Sequence, residues 1–187
     1  MLHAWHCSNT QACGDRRCPP AFPAAATSRT LMRQRLREVV MPMSSELRPR
    51  VGCGAFIQRA DGHLLLVLRG RAPEQGHWGL PGGKVDWMET VEATVVREVL
   101  EETGLQVHPQ RVLCVVSHFE PDMDPPQHWV APVYLASIQG PEHAVLCEPE
   151  VLLELGWFAL DALPTPLTRS AMQAVRHVQA ERAATRE

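Results

Sequence analysis

The stretch GGKVDWMETVEATVVREVLEETGL, residues 82–105, decides how the rest of the chain is read. Pro81, Gly82 and Gly83 break the backbone, because adjacent glycines permit positive φ and let a ligand or metal come close to a carbonyl. A helix is predicted from Thr90 to Thr103: neither Gly nor Pro interrupts that span, and Gly104 stands where a C′ glycine belongs. On such a helix Glu98, Glu101 and Glu102 fall at i, i+3 and i+4 and project from one face. Val91, Ala93, Val95, Val96, Val99 and Leu100 make the rest of the helix apolar, so the carboxylates interrupt an element that otherwise reads as packed. Gathered anionic oxygens in partly desolvated surroundings are costly unless a cation neutralises them. Hard divalent ions with oxygen preference suit the arrangement, above all Mg²⁺, with Mn²⁺ as a substitute. Three glutamates alone do not decide the matter, since an acidic cluster on a helix is more often a solvated face.

The full spacing decides it. From Gly83, five residues lead to Glu89 and seven more to Arg97-Glu98; then come Val99, one residue, Glu101-Glu102, one residue, Gly104 and Leu105. At every fixed position this resembles the signature of the Nudix hydrolases. The resemblance implies an α/β/α sandwich with a mixed sheet between helices, over residues 47–187. It implies that Glu98 and Glu102 ligate metal directly, that Glu101 does so directly or through water, and that the Gly82 carbonyl completes the site. Glu89 and Arg97 resemble the family's internal ion pair; eight residues apart, about two helical turns, they would clamp the loop onto the helix.

The family commonly draws a further glutamate from a later loop as general base or extra ligand. Glu148 and Glu150 are the nearest candidates, with Glu154 and Glu142 behind them, and the sequence does not choose among these and Glu101. The activity implied is Mg²⁺-dependent hydrolysis of a pyrophosphate bond in a nucleoside diphosphate linked to another group. ADP-ribose or a nucleotide sugar is favoured narrowly, because Pro121, sixteen residues beyond Leu105, resembles a proline of the ADP-ribose subgroup. Cleavage of (deoxy)nucleoside triphosphates in pool cleaning is the alternative. A domain that only senses nucleotide is a further one, against which the chain keeps every carboxylate of the box.

With 187 residues the chain holds one domain of ordinary size and some excess. A net charge of −3 gives no electrostatic case for nucleic-acid polymers, and no apolar run reaches the 18 residues of a spanning helix. The expected partner is therefore a small nucleotide rather than a polymer or a membrane; a homodimer stays open. Residues 1–46 differ in texture, with Cys7, Cys13 and Cys18, the run PPAFPAAA and an excess of arginine. They read as a dispensable disordered extension, with a transit peptide or upstream artefact as alternatives; C-x5-C-x4-C is not a recognised zinc spacing. Cys53, Cys114 and Cys147 read as buried thiols of a reducing, cytoplasmic compartment.

Strands are expected over 51–59 and 63–68, joined by a tight turn at Asp61-Gly62, then over 111–119, 129–138 and 152–159; a closing helix is expected over 167–182. Four side chains are candidates for substrate contact. Arg69 offers a guanidinium fork to phosphate. Trp78 reads first as a core anchor and second as a stacking surface for a base. His118 and Trp129 lie near strand ends that could face the ligand, against the commoner role of each as a satisfied structural side chain. Neither G-x-G-x-x-G after a strand nor a P-loop occurs, so phosphates must be held by metal and side chains.

Overall fold

A computed structural model describes residues 48–185. The readings of residues 1–46 lie outside that range. Two helices carry the local logic foreseen for them. Helix α1, Val91–Thr103, begins where the Thr90 hydroxyl accepts the N–H of Ala93 at 3.2 Å, and it ends where Gly104, at φ 70°, donates its own N–H to the Leu100 carbonyl. Helix α2, Arg169–Ala184, starts two residues later than expected, because Leu167 is held in a bridge to Trp78 and Thr168, still extended, caps the helix by accepting the Ala171 N–H.

The strand expected over 51–59 is two strands, β1 (Arg50–Val51) and β2 (Gly54–Ile57). Between them Gly52 still donates its N–H to the Val130 carbonyl at 3.1 Å but also bridges Lys84, and Cys53 turns to the glycine turn, donating its N–H to the Gly83 carbonyl at 2.8 Å. Strand β3 (Leu64–Arg69) follows the tight turn, then a short β4 (Trp78–Gly79) the sequence did not announce. Strand β5 (Val107–Glu120) begins four residues before the expected start, because bulges between Pro109 and Arg111 and between Val112 and Cys114 absorb an irregular opening. Strands β6 (Gln127–Ile138) and β7 (Leu152–Phe158) complete the set.

One sheet is mixed. β1 and β2 both run parallel to β6, with Arg50 opposite Trp129 and Gly54 opposite Val133, while β5 lies antiparallel on the other side of β6. The second sheet, β4-β3-β7, is antiparallel, and a bridge between Gln58 and Leu64 joins the sheets at a corner.

Alternation along the central strands sorts the core into two layers. Phe56, Leu64, Leu66 and Val133 pack with Ala171, Ala174, Val175 and Val178 of α2. Their neighbours Ala55, Ile57, Leu65 and Tyr134 pack with Val95 and Val99 of α1. Each helix therefore covers one face, which is the α/β/α sandwich, and each large aliphatic side chain buried there is worth about 1.5–3 kcal/mol. Among the described residues no helix is long and apolar enough to cross a membrane. One expectation fails: Cys53 is buried and Cys114 half-buried, but Cys147 is exposed, because residues 141–150 run over the surface.

Candidate active site

The glycine turn is seated on the gap between β1 and β2. Ala55 N–H donates to Pro81 carbonyl at 2.9 Å and Val85 N–H to Val51 carbonyl at 3.0 Å, on either side of the Cys53 bond. Gly82 has φ 145°, and a Cβ there would stand 2.4 Å from the Cys53 carbonyl oxygen. At Gly83 a Cβ would meet the Glu98 carboxylate at 2.4 Å. Only glycines let the turn touch both the sheet and the helix carboxylates.

Those carboxylates are not equivalent. Glu102 is 7% exposed and accepts the Gly82 N–H at 2.8 Å. Burial pushes its carboxyl up to about 8, with the charges of Glu98 and Glu148 adding and the Gly82 N–H opposing. Glu98, half-buried, is also raised by burial, against the pull of Arg97. Glu101 is exposed: α1 buries the side of Glu98 and Glu102 and leaves Glu101 at its edge.

Arg97 holds the cluster together. Its Nε and Nη2 each lie 2.9 Å from an oxygen of Glu89, and its Nη1 lies 2.9 Å from both Glu98 and Glu101. The fork holds the Glu89 carboxyl down to about 2, helped by the Thr94 hydroxyl, and is itself driven further into its charged form. It is thus a counter-ion to three carboxylates as well as a clamp. This grip bears on the candidate metal ligands. Among the described residues no three His, Cys, Asp or Glu side chains converge into a ready cage, because Glu98 and Glu101 turn to Arg97. At Gly82 the N–H is the engaged group, while its carbonyl takes part in none of the loop's backbone bonds among the described residues. The donor chemistry still fits a hard divalent ion: every candidate atom is oxygen, and burial makes two of the carboxyls resist ionisation.

Residues 141–150 deliver a fourth carboxylate. Val145 N–H donates to the Thr103 carbonyl at 2.9 Å and Cys147 N–H to the Glu102 carbonyl at 3.1 Å, satisfying the open last turn of α1. The loop then folds on the Glu148 carbonyl, which accepts the N–H groups of Val151 and Leu152. Glu148 is half-buried and its charge is felt at Glu98 and Glu102. Glu150, Glu142 and Glu154 are exposed, the last on β7 opposite Leu68. The structure brings Glu148, not Glu150, to the carboxylate cluster.

A cleft of about 540 Å³ opens from the glycine turn, with Gly82 and Gly83 at its wall. Arg50, Arg69, Arg71 and Lys84 line it, against one carboxylate, Glu74. Across its floor Arg50, Trp129 and His118 stand in one row of β1, β6 and β5, register partners pointing the same way. The Arg50 guanidinium lies 5.5 Å from the Trp129 ring centre, and Trp129 Nε1–H donates to Gln127 at 2.9 Å. Arg69 reaches the cleft while its Nε donates to the Pro73 carbonyl at 3.0 Å. Trp78 is the correction among the substrate candidates: it is 9% exposed, stands edge-on to Phe158 at 4.9 Å and belongs to the α2-side core. Pro121 lies outside this cleft, beside Phe119 and His128 in a separate shallow depression of about 220 Å³. Sequence reasoning passed over Arg50, Glu74, Lys84 and Gln127. Arg50 becomes visible only through the β1–β6 pairing, and Glu74 sits in an irregular loop that offers no periodic signal.

Comparison with known proteins agrees with this geometry. The family model described as the NUDIX domain matches residues 48–178. An ADP-ribose pyrophosphatase of Methanocaldococcus jannaschii is 38% identical over 63% of this chain and 66% of its own length. The human 8-oxo-dGDP phosphatase NUDT18 is 32% identical over 60% of this chain, but only 32% of that protein is spanned. The crystal structure of a MutT NUDIX hydrolase from Burkholderia pseudomallei superposes with a TM-score of 0.62 and 52% identity, covering 70% of this chain and 98% of that one. A glycine turn locked onto a helix that carries the whole glutamate array, in a matching fold, places the chain in the Nudix family.

Proposed function

We propose that the protein is a Mg²⁺-dependent hydrolase that cleaves the pyrophosphate bond of a nucleoside diphosphate linked to a second group, ADP-ribose or a nucleotide sugar. The observation that carries this reading is the pairing of two ionisation-resistant carboxyls, buried Glu102 and half-buried Glu98, with a cleft lined by four cations. The name of the archaeal relative supports the choice of ADP-ribose. Glu98, Glu102, Glu101 and the Gly82 carbonyl would hold the ion, with Mn²⁺ as a substitute. Once bound, it supplies charge neutralisation of the diphosphate and a water of lowered pKa.

The chain's own groups do the rest. Arg50, Arg69, Arg71 and Lys84 orient the diphosphate against the glycine turn, replacing the backbone cradle that a P-loop would provide. Glu148 takes a proton from attacking water in this reading, which is supported by the hold of the last turn of α1 on its loop beside Glu102. Trp129 gives a flat wall for the nucleoside.

The test is product analysis by chromatography after incubation with Mg²⁺ and, separately, ADP-ribose, nucleotide sugars, dinucleoside polyphosphates and nucleoside triphosphates, with Glu98→Gln as control. AMP and ribose phosphate from ADP-ribose, lost in the variant, are expected. Monophosphate and pyrophosphate from triphosphates alone would replace this reading with pool cleaning. Binding of nucleotide with no cleavage at all would make the domain a sensor.

A further inference from the structure

The end of the cleft beyond Trp129 carries a pair of polar atoms that the hydrolytic reading does not use. His118, on β5, is 7% exposed, and its Nε2 is hydrogen-bonded to Glu120. Glu120 is ionised, its carboxyl held low by His118 first and by Arg169 as well, so it can only accept, and Nε2 must carry the proton. In the neutral ring Nδ1 is then left with a lone pair. Nδ1 lies 4.0 Å from Glu74 Oε2, too far for a hydrogen bond, and has no other partner among the described residues.

Glu74 is fixed from its other side. Its Oε1 accepts the backbone N–H of Arg169, at the start of α2, at 2.8 Å, so Oε2 is the oxygen left over. Arg169 in turn donates Nη1–H to the Phe119 carbonyl at 3.1 Å, which ties the loop of Glu74 to β5. Both His118 and Glu74 line the cleft. Two acceptors 4.0 Å apart, each held by a bond at its far side, can both be reached from one donor atom carrying two hydrogens, at about 2.9 Å each. A carbonyl would meet two lone pairs, and a single hydroxyl would satisfy one acceptor.

We infer that His118 and Glu74 form an acceptor pair for the exocyclic amino group of a nucleobase, and so set base specificity in the same cleft proposed for hydrolysis. A vicinal diol could also offer two hydrogens, but the neighbour of His118 across the ladder is the Trp129 ring. An aromatic face beside edge acceptors matches a planar base, which needs both stacking and edge contacts. Both residues are specificity-determining: neither reaches the carboxylate cluster, and His118 itself is oriented by Glu120.

The experiment compares amino and carbonyl partners that differ at one atom: ADP-ribose against its hypoxanthine counterpart, and dATP against dITP. Each pair is run at alkaline pH on the wild-type chain, Glu74→Gln and His118→Gln, reading kcat/KM where turnover occurs and Kd by calorimetry in every case. The wild type should favour the amino base by about tenfold or more, because a site built from acceptors is left unpaired by the analogue. Glu74→Gln, whose amide can donate to a carbonyl while keeping an oxygen for Arg169, should bring the ratio near unity. His118→Gln should reduce it in the same direction. A wild-type ratio near one, or a ratio untouched by either variant, overturns the inference. So does a large loss with 2′-deoxy-ADP-ribose but none with the hypoxanthine compound, which would assign the pair to the sugar. Absence of turnover with preserved discrimination in Kd would sink the hydrolase reading and leave the acceptor pair standing.

Discussion

Replacing Glu102 by glutamine should make the metal-free protein more stable while abolishing its chemistry. The Glu102 carboxyl is 7% exposed, and burial lifts it from 4.5 to about 8. Between those values the folded state holds a proton that the unfolded state has released, so stability falls as pH rises through the interval; the penalty is absent below 4.5 and complete above 8. At about 1.4 kcal/mol per unit, the cost at pH 7 is about 3 kcal/mol, an upper bound because the surroundings relax. Glutamine is neutral throughout, and its side-chain oxygen can still accept the Gly82 N–H. For a domain of this size the gain corresponds to a rise in Tm of about 5–10 °C at pH 7, shrinking to about 2 °C at pH 5. Calorimetry in chelator at both pH values reads it directly. Added Mg²⁺ should then raise the wild-type Tm and leave the variant unmoved. A variant no more stable than wild type in chelator at pH 7, or a gain equal at both pH values, would refute the reasoning.

Other perturbations separate the roles of neighbouring residues. Gly83→Ala puts a methyl where the Glu98 carboxylate lies, 2.4 Å away, and should cut Mg²⁺-dependent turnover about a hundredfold in a protein that circular dichroism shows folded. Glu148→Gln should lower kcat by about a hundredfold, whereas Glu150→Gln, at an exposed position, should stay within about twofold; equal effects in steady-state kinetics would remove Glu148 from the proton-transfer role. Arg97→Lys cannot reproduce the fork on Glu89 and should weaken metal activation about tenfold in a Mg²⁺ titration. Trp78→Ala should cost about 3–5 kcal/mol in denaturant unfolding with KM unchanged, and Trp129→Ala should do the reverse, raising KM with little loss of stability.

What the sequence discloses follows the range of the forces involved. Helix α1 was legible because its limits are local: Thr90 and Gly104 mark its ends whatever the chain does elsewhere. The order of carboxylates at i, i+3 and i+4 was legible for the same reason, but their unequal burial was not, since it depends on which side of α1 meets Ile57 and Tyr134. Trp78 shows the limit: a tryptophan one residue before a glycine and near a metal loop can point either way, and only its packing on Phe158 decides. The break at Gly52-Cys53 could not be foreseen from an apolar run, because its cause is a hydrogen bond to Gly83, thirty residues on. Glu148 and Glu150 differ by two positions, and their ranking came from two backbone bonds to the end of α1. The row Arg50-Trp129-His118 exists only once β1, β6 and β5 are placed side by side.

The guanidinium of Arg97 has a role in the order of events as well as in the fold. It binds oxygens of Glu98 and Glu101 that an incoming cation would need, while its grip on Glu89 anchors it in place. Ligation of the proposed ion would then be an exchange, in which an internal cation yields part of its coordination to an external one. Such competition would lower affinity for a lone ion. A cation that arrives already complexed to a diphosphate adds the contacts of Arg50, Arg69 and Lys84 to its side of the exchange. On the chemistry proposed above, loading of the site would be biased toward the moment when there is something to cut.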